Sequence, residues 1–356
     1  MEQAQATTVT EGADPVIVGP YLASHLGEGW RGCSVELIPG GRSNLTYLVS
    51  AEEDRVVLRR PPLGHVLPTA HDMAREYRVL SALDHTDFPA PTPLHLCTDT
   101  DVLGVIFYVM ERCEGHIVRS SFPGGYADSA EDRRRVGDGL IDTLVQLHAV
   151  DWRSIGLEDF GHPEGFMSRQ LRRWKQQWEK SATRALPPMD DLIDRLESEL
   201  PDSPSPTLVH GDFRLDNAIL DPHEQGSVVA ILDWEMSTIG DPLADLGLML
   251  VYWPQADDDP AFRDAFSVTT ASALPGFPTR DEALDRYARR SGRDVSRVYF
   301  YWAFGFFKLA VISEGIHARF LQGKTLGEGF ERFGERVPAL VQLSHAALER
   351  KHVGPI

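Results

Sequence analysis

The chain has 356 residues, enough to bury a substantial core and to form two domains or one two-lobed unit. Its composition, 42% hydrophobic and 25% charged, is that of a soluble globular protein, and 35 basic against 53 acidic side chains leave a formal charge of −18. A surface that acidic argues against non-specific binding to nucleic acid or to an anionic membrane, although it leaves the pocket undecided, because exposed charges beyond about 10 Å are screened in physiological salt.

Cys33, Cys97 and Cys113 are far apart and in no metal-ligand spacing, which fits a reducing, cytoplasmic setting. Residues 1–15 are polar, with neither a basic start nor an apolar core, and read as a disordered tail rather than a signal peptide. No apolar run reaches the roughly 18 residues that span a bilayer. Two domains are expected, residues 16–114 and 115–356.

In chain order, Val18 to Leu26 predicts a short helix, and VELIPGGRSNLTYLV followed by RVVLRR predicts strand, turn and strand, with Gly40 and Gly41 at the turn. Of the two arginines that close RVVLRR, Arg60 is expected to be the exposed one. Ala70, Met73, Tyr77, Leu80 and Leu83 recur at helical spacing, and GVIFYVMERCEG reads as a buried strand. An amphipathic helix over 129–150 carries Val136, Leu140, Leu144 and Leu147 on one stripe, with His148 expected as a packed structural residue. Residues 165–180 form a basic and aromatic helix; Arg169, Arg172, Arg173 and Lys175 suit either an anionic substrate group or a solvated face. PDSPSP follows as a linker. GDPLADL begins a helix at Asp241 and Pro242, and 281–290, 295–320 and 330–351 predict three more. The 295–320 helix is dense in aromatics around Lys308 and Glu314 and reads first as core. ARFLQGKT satisfies a relaxed phosphate-loop pattern, but a helix precedes it, so Gly323 is read as a helix stop.

The chemistry concentrates in LVHGDFRLDNAIL and VVAILDWEMSTIGDPLADL, which set His210, Asp212, Asn217, Asp233, Asp241 and Asp245 beside short apolar strands. Phosphoryl transfer needs a carboxylate at the acceptor hydroxyl and oxygen ligands for Mg²⁺ on the nucleotide phosphates. Asp212, with Asn217 and Asp233, supplies those groups; the alternative is that the aspartates cap turns. HGDFRLDN resembles the catalytic loop of the kinase superfamily, in the variant with Gly after His used by aminoglycoside and choline phosphotransferases. VLRRPP at Val57–Pro62 is similar to the branch of that family found fused to acyl-CoA dehydrogenases.

The resemblance implies an α+β, protein-kinase-like two-lobe fold, with a small β-rich N-terminal lobe that binds nucleotide and a larger, mainly helical C-terminal lobe for catalysis and substrate. It implies ATP and Mg²⁺ as cofactors, Asp212 as base, Arg214 as charge stabiliser, and Asn217 and Asp233 as metal ligands. Gly41, Ser43 and Asn44 fall in the nucleotide-covering hairpin. Arg59 stands for the phosphate-binding lysine, with Glu76 as its helix partner, and Met110, Glu111 and Cys113 lie at the purine edge. His210 and Asp245 read as supports. Asp233 reaches GDP within eight positions, with no activation loop and no A-P-E element, which points to a small-molecule acceptor. The implied activity is transfer of the γ-phosphate to a substrate hydroxyl, on a hydroxyacyl-CoA or hydroxy acid. The alternatives are an aminoglycoside or other amino-alcohol kinase, and a nucleotide-binding pseudokinase scaffold.

Overall fold

The computed structural model describes residues 11–39, 44–52, 54–63, 72–259, 262, 270–324 and 329–355. Its contacts divide the chain into two units, Met1–Glu114 with Ala230–Glu235, and Gly115–Val229 with Met236–Ile356. The first is organised on a sheet and the second is mainly helical, the α+β composition expected.

In the first unit Ser34–Leu37 (β1), Leu45–Ala51 (β2), Asp54–Arg60 (β3), Pro93–Cys97 (β4) and Phe107–Glu111 (β5) form an antiparallel sheet in the order β1-β2-β3-β5-β4, with the short helix α3 (Thr100–Leu103) between β4 and β5. Side chains alternate between faces along a strand, so register decides what each meets. Leu58 stands opposite Tyr47 and Val109, and that face packs with Val49 and Phe107 against Val18 and Leu22 of α1 (Pro15–Leu26) and against Trp30. Arg59 stands opposite Thr46 and Tyr108 on the other face. That face meets α2 (Met73–Leu83), whose buried Met73, Glu76, Val79, Leu80 and Leu83 recur with helical spacing and whose cap is Asp72.

Arg60 corrects the sequence reading, because it is buried. Both faces of the central strand are covered, so neither of two successive arginines reaches solvent. Arg60 instead donates to the carbonyl oxygens of Gly12, Pro61 and Leu103. The segment Ala230–Glu235 is tied into this unit by the Ile231 N–H, 2.9 Å from Pro89 O, and by Trp234, whose ring meets Phe88 edge-on at 5.8 Å.

In the second unit a capping box of Ser129 and Asp132 starts α4 (Ala130–Ala149), and α5 (Phe166–Ser181) follows. The sequence reading assigns no element to 187–198, where the structure has α6 (Pro187–Ser198). Its signal is present in Pro187 at the first turn and in Met189, Leu192, Ile193 and Leu196 on one stripe. Thr207–Val209 (β6) pairs antiparallel with Thr238–Gly240 (β9). Between them lie Ala218–Leu220 (β7) and Val228–Ile231 (β8), the latter running on into the first unit.

Asp241 caps α7 (Pro242–Val251), and α8 (Arg280–Ser291), α9 (Val298–Leu321) and α10 (Arg332–Arg350) follow among the described residues. Every residue from Val298 to Phe307 is buried, and α9 packs against α5, α7 and α10. Gly323 follows α9 at φ +66°, in the left-handed conformation that glycine favours, so the decoy phosphate loop follows a helix rather than a strand. Among the described residues no helix is long and apolar enough to cross a membrane.

The approach of α7 to α9 depends on Gly247, where a Cβ would lie 2.5 Å from Tyr301 Cβ and 2.6 Å from its carbonyl carbon. Gly247→Ala is expected to cost about 1–3 kcal/mol by overpacking, read as a lowered Tm in thermal unfolding. An unchanged Tm would show that the two helices part without cost.

Candidate active site

In the first unit the β3 to β5 register sets Tyr108 beside Arg59, and α2 lowers Glu76 onto both. Arg59 Nη2 donates to Asp233 Oδ1 at 2.9 Å, and its Nε lies 3.4 Å from Glu76 Oε2. Glu76 also accepts from Tyr108 Oη at 2.9 Å and from Asn44 Nδ2 at 3.0 Å, and the same amide reaches Glu235 Oε2 at 3.1 Å. Arg59, Glu76, Asn44 and Asp233, chosen from the sequence, therefore share one network, and Tyr108 and Glu235 are its unforeseen members. No sequence periodicity could have named Tyr108, because only the strand register puts it opposite Arg59.

Arg59, Glu76, Tyr108 and Asn44 are buried while Asp233 and Glu235 are half-buried, and burial is costly for charge unless partners compensate. Burial works against the Arg59 cation, but Tyr108, Glu76 and Asp233 outweigh it and raise its pKa above the ordinary value. Burial raises the Glu76 pKa, against the pull of Arg59. Arg59 Nε is buried and faces the Glu76 carboxylate as an ion pair without the alignment of a hydrogen bond.

Asp233 has φ +71°, a conformation uncommon for a residue with a side chain and tolerated best by Asp and Asn. Such backbone is held by its surroundings, here the ion pair to Arg59 and the anchored Trp234, whose Nε1 donates to Ile231 O at 2.9 Å. Gly41 and Ser43 lie outside the described residues. Met110 is buried on β5, and the Glu111 N–H is committed to Thr92 O at 2.9 Å. Cys113 Sγ lies 3.5 Å from Glu111 Oε1, and burial with that carboxylate pushes its thiol up to about 12.

In the second unit the loop after β6 is clamped from beneath. The buried Asp245 carboxylate of α7 accepts the backbone N–H groups of His210 (2.6 Å) and Gly211 (2.7 Å), and stands 3.4 Å from His148 Nε2. His148 Nδ1 in turn meets Tyr287 Oη at 2.7 Å. Asp245 is held below the usual carboxylate range, because His148, His210 and the backbone bonds outweigh its burial. Asp212 Oδ2 is flanked by Asn217 Nδ2 at 3.1 Å and Arg214 Nε at 3.3 Å, while Asn217 also ties to Asp212 O at 2.9 Å.

The structure therefore brings Asp212, Arg214 and Asn217 together. Arg214 lies 4.6 Å over the Tyr252 ring and 3.2 Å from Asp216, whose carboxyl burial pushes up. One residue of the helix read first as core joins them: Lys308 of α9 donates to Gly211 O at 3.2 Å. Its signal was a single cation inside an aromatic run.

Asn217 and Asp233 both offer oxygen, the donor Mg²⁺ takes, and Mg²⁺ commonly uses one or two protein ligands with phosphate oxygens and water. Around Asp233 three carboxylates, of Asp233, Glu76 and Glu235, accompany one guanidinium, an excess of negative charge that a divalent cation would neutralise. On the chemistry of the donors, the residues fit the ion.

Residues 34–298 match the phosphotransferase enzyme family. The chain is 38% identical over 321 residues to acyl-CoA dehydrogenase family member 11 of Rattus norvegicus, covering 86% of this chain and 40% of that protein. It thus spans about two fifths of the length of that curated relative. A solved structure from Ralstonia eutropha JMP134, assigned as an aminoglycoside phosphotransferase, is 32% identical, with a TM-score of 0.79 over 95% of this chain and 98% of that one. A choline kinase from Cryptosporidium parvum Iowa II is 14% identical with a TM-score of 0.64 over 95% and 96%, a likeness of fold alone.

Burial pushes the His148 pKa below its ordinary 6.5. The unfolded chain then takes up a proton near pH 6.5 that the folded chain refuses, so this site's stability is full above about 6.5 and falls as pH drops below it. In His148→Gln the decline of Tm between pH 7 and 5 is expected to be shallower than in the wild type. Parallel declines would remove His148 from the titration.

Proposed function

The chain belongs to the phosphotransferase enzyme family, and from that membership we propose that it moves the γ-phosphate of ATP to a hydroxyl of an anionic small molecule, a hydroxyacyl-CoA ester or related hydroxy acid. The observation that carries the phosphotransferase reading is the Asp212 loop, a carboxylate flanked by Asn217 and Arg214 on a backbone tied from beneath. Asp212 receives the proton of the acceptor hydroxyl as its oxygen attacks the γ-phosphorus and the bond to the β-phosphate oxygen breaks. Arg214 lends positive charge beside it, where negative charge gathers in the transition state.

In the first unit Arg59, kept protonated by its carboxylate neighbours, binds the nucleotide phosphates through donors that Glu76 and Tyr108 orient. Asn44, fixed between Glu76 and Glu235, sits at the end of the covering hairpin. The residues we assign to Mg²⁺ are Asp233 and Asn217, whose oxygens would hold it, and the ion would supply positive charge to offset the charge that develops on the phosphates. A phosphate-binding arginine and two oxygen ligands suit a nucleoside triphosphate donor, taken here as ATP.

The acceptor class rests on a groove of about 420 Å³ between α5 and α9, inside the second unit. Its floor has Val311, Ile312, Gly315 and Ala318, and its cations are Arg173, Lys180 and Arg319. Of the basic residues of α5 read from the sequence, Arg169 bonds the carbonyls of His162 and Glu164 and Lys175 bonds Glu197, while Arg173 lines the groove. An apolar floor with cations suits an acyl chain that ends in a negative group. The net charge of −18 favours the second reading, a cationic amino alcohol, but the cations of the groove oppose it. A binding-only scaffold is disfavoured by the presence of Asp212, Asn217 and Asp233 together.

Asp212→Asn is expected to lower kcat about 10²–10⁴-fold, the contribution of a positioned base, with ADP binding retained. A loss of less than about tenfold would remove the base role. In a screen of hydroxyacyl-CoA esters, free hydroxy acids and aminoglycosides for acceptor-dependent ADP release, the anionic acceptors are expected to respond. Arg173→Glu with Arg319→Glu should raise their KM several-fold. Release stimulated by aminoglycosides alone would overturn the acceptor class.

A further inference from the structure

An ammonium sunk into an aromatic helix is unfavourable unless its charge is employed. Lys308 occupies that position. It follows Phe306 and Phe307 on α9, its Nζ lies 5.6 Å above the Trp174 ring, and it donates to Gly211 O at 3.2 Å.

That carbonyl belongs to the peptide whose nitrogen is Asp212's, and the Asp212 N–H is itself 3.2 Å from His210 Nδ1. One peptide plane is thus held at its oxygen by α9 and at its nitrogen by His210. The preceding N–H is held by Asp245 from α7. Gly211 needs this restraint. Its φ is +85°, and a Cβ there would lie 2.6 Å from Met236 O, so the position takes glycine, the residue that restrains a peptide least.

We propose that Lys308 is a positioning residue for phosphoryl transfer, one that fixes the Gly211–Asp212 peptide and so aims the Asp212 carboxylate at the acceptor hydroxyl. The inference rests on Asp212 being the group that receives the acceptor's proton. Charge matters as well as the hydrogen bond, because Lys308 is surrounded by Asp212 on the loop and Asp245 on α7, with Arg214 on the loop and Arg173 on α5 opposing them.

Burial is the largest influence on Lys308 and moves its pKa below the ordinary 10.5, although the two aspartates pull the other way. The ammonium therefore gives up its proton at a lower pH than a solvated lysine does. Once neutral it is a poorer donor to the carbonyl, so turnover should fall on the alkaline side as pH climbs through that pKa. Arginine stays protonated throughout and would keep the clamp.

The test compares wild type, Lys308→Met, Lys308→Arg, Asp212→Asn and the Lys308→Met/Asp212→Asn double variant. Three readouts apply: ADP formed from Mg-ATP with water as acceptor, ADP binding, and amide hydrogen exchange at Gly211 and Asp212. Lys308→Met is expected to lower kcat about tenfold to a hundredfold, the usual consequence of a small misplacement, with KM for ATP within about threefold and faster exchange at both amides. Lys308→Arg should stay within about fivefold of wild type and lose the alkaline decline. The double variant should be no slower than Asp212→Asn, because both changes act through one carboxylate.

The proposal is overturned if Lys308→Met leaves both kcat and the exchange rates at wild-type values, or if its loss multiplies with that of Asp212→Asn. Should Lys308→Met fail to bind ADP, the pH profile and amide exchange of Lys308→Arg decide, and an alkaline decline unchanged from wild type counts against the proposal. An Asp212→Asn variant with full turnover removes the base assignment, and the exchange rates then report on the clamp alone.

Discussion

A buried carboxylate that accepts two consecutive backbone N–H groups is the constraint from which the second unit's chemistry follows. Asp245 turns an unfavourable buried charge into a support, since a carboxylate held by backbone donors and a histidine stays ionised and its partners cannot leave without exposing it. Because α7 begins at the capped Asp241 and Pro242, Asp245 sits on the helix's first turn. From there it reaches back to the strand end where His210 and Gly211 lie. Rigidity at Asp212 is therefore inherited from helix packing, through Gly247 against Tyr301, rather than from the loop itself.

The first unit solves the corresponding problem with the opposite sign. Arg59 is a buried cation, and its compensation comes from a register, an α2 helix and a short return segment that contribute Tyr108, Glu76 and Asp233 in turn. The balance there is not neutral. Carboxylates outnumber the guanidinium, so the cluster carries an excess of negative charge. The left-handed Asp233 is kept in place by its ion pair to Arg59 and by the anchored Trp234 rather than by its own preference.

Much of this was legible in the residues. The HGDFRLDN spacing, the separation of Asp212 from Asp233 and the apolar stripe of the 129–150 helix are local patterns, and local patterns survive folding. What stayed hidden is relational. Tyr108 joins Arg59 only through strand pairing, and Lys308 joins Gly211 only through the packing of α9. Arg60 is buried because a central strand is covered twice, a fact that no alternation of polar and apolar residues within β3 expresses. Helix α6 did carry its stripe, although the sequence reading assigned no element there.

Cys113 carries a consequence for chemical probing. Its side chain stands just past the end of β5, where an electrophilic compound directed at the first unit would seek a thiol. Burial and the Glu111 carboxylate push the thiol up to about 12, so little of it is thiolate at pH 7 and alkylation there would be slow. Covalent ligands for this protein would do better to seek a different anchor, and a mild thiol reagent should leave the lobe's chemistry intact.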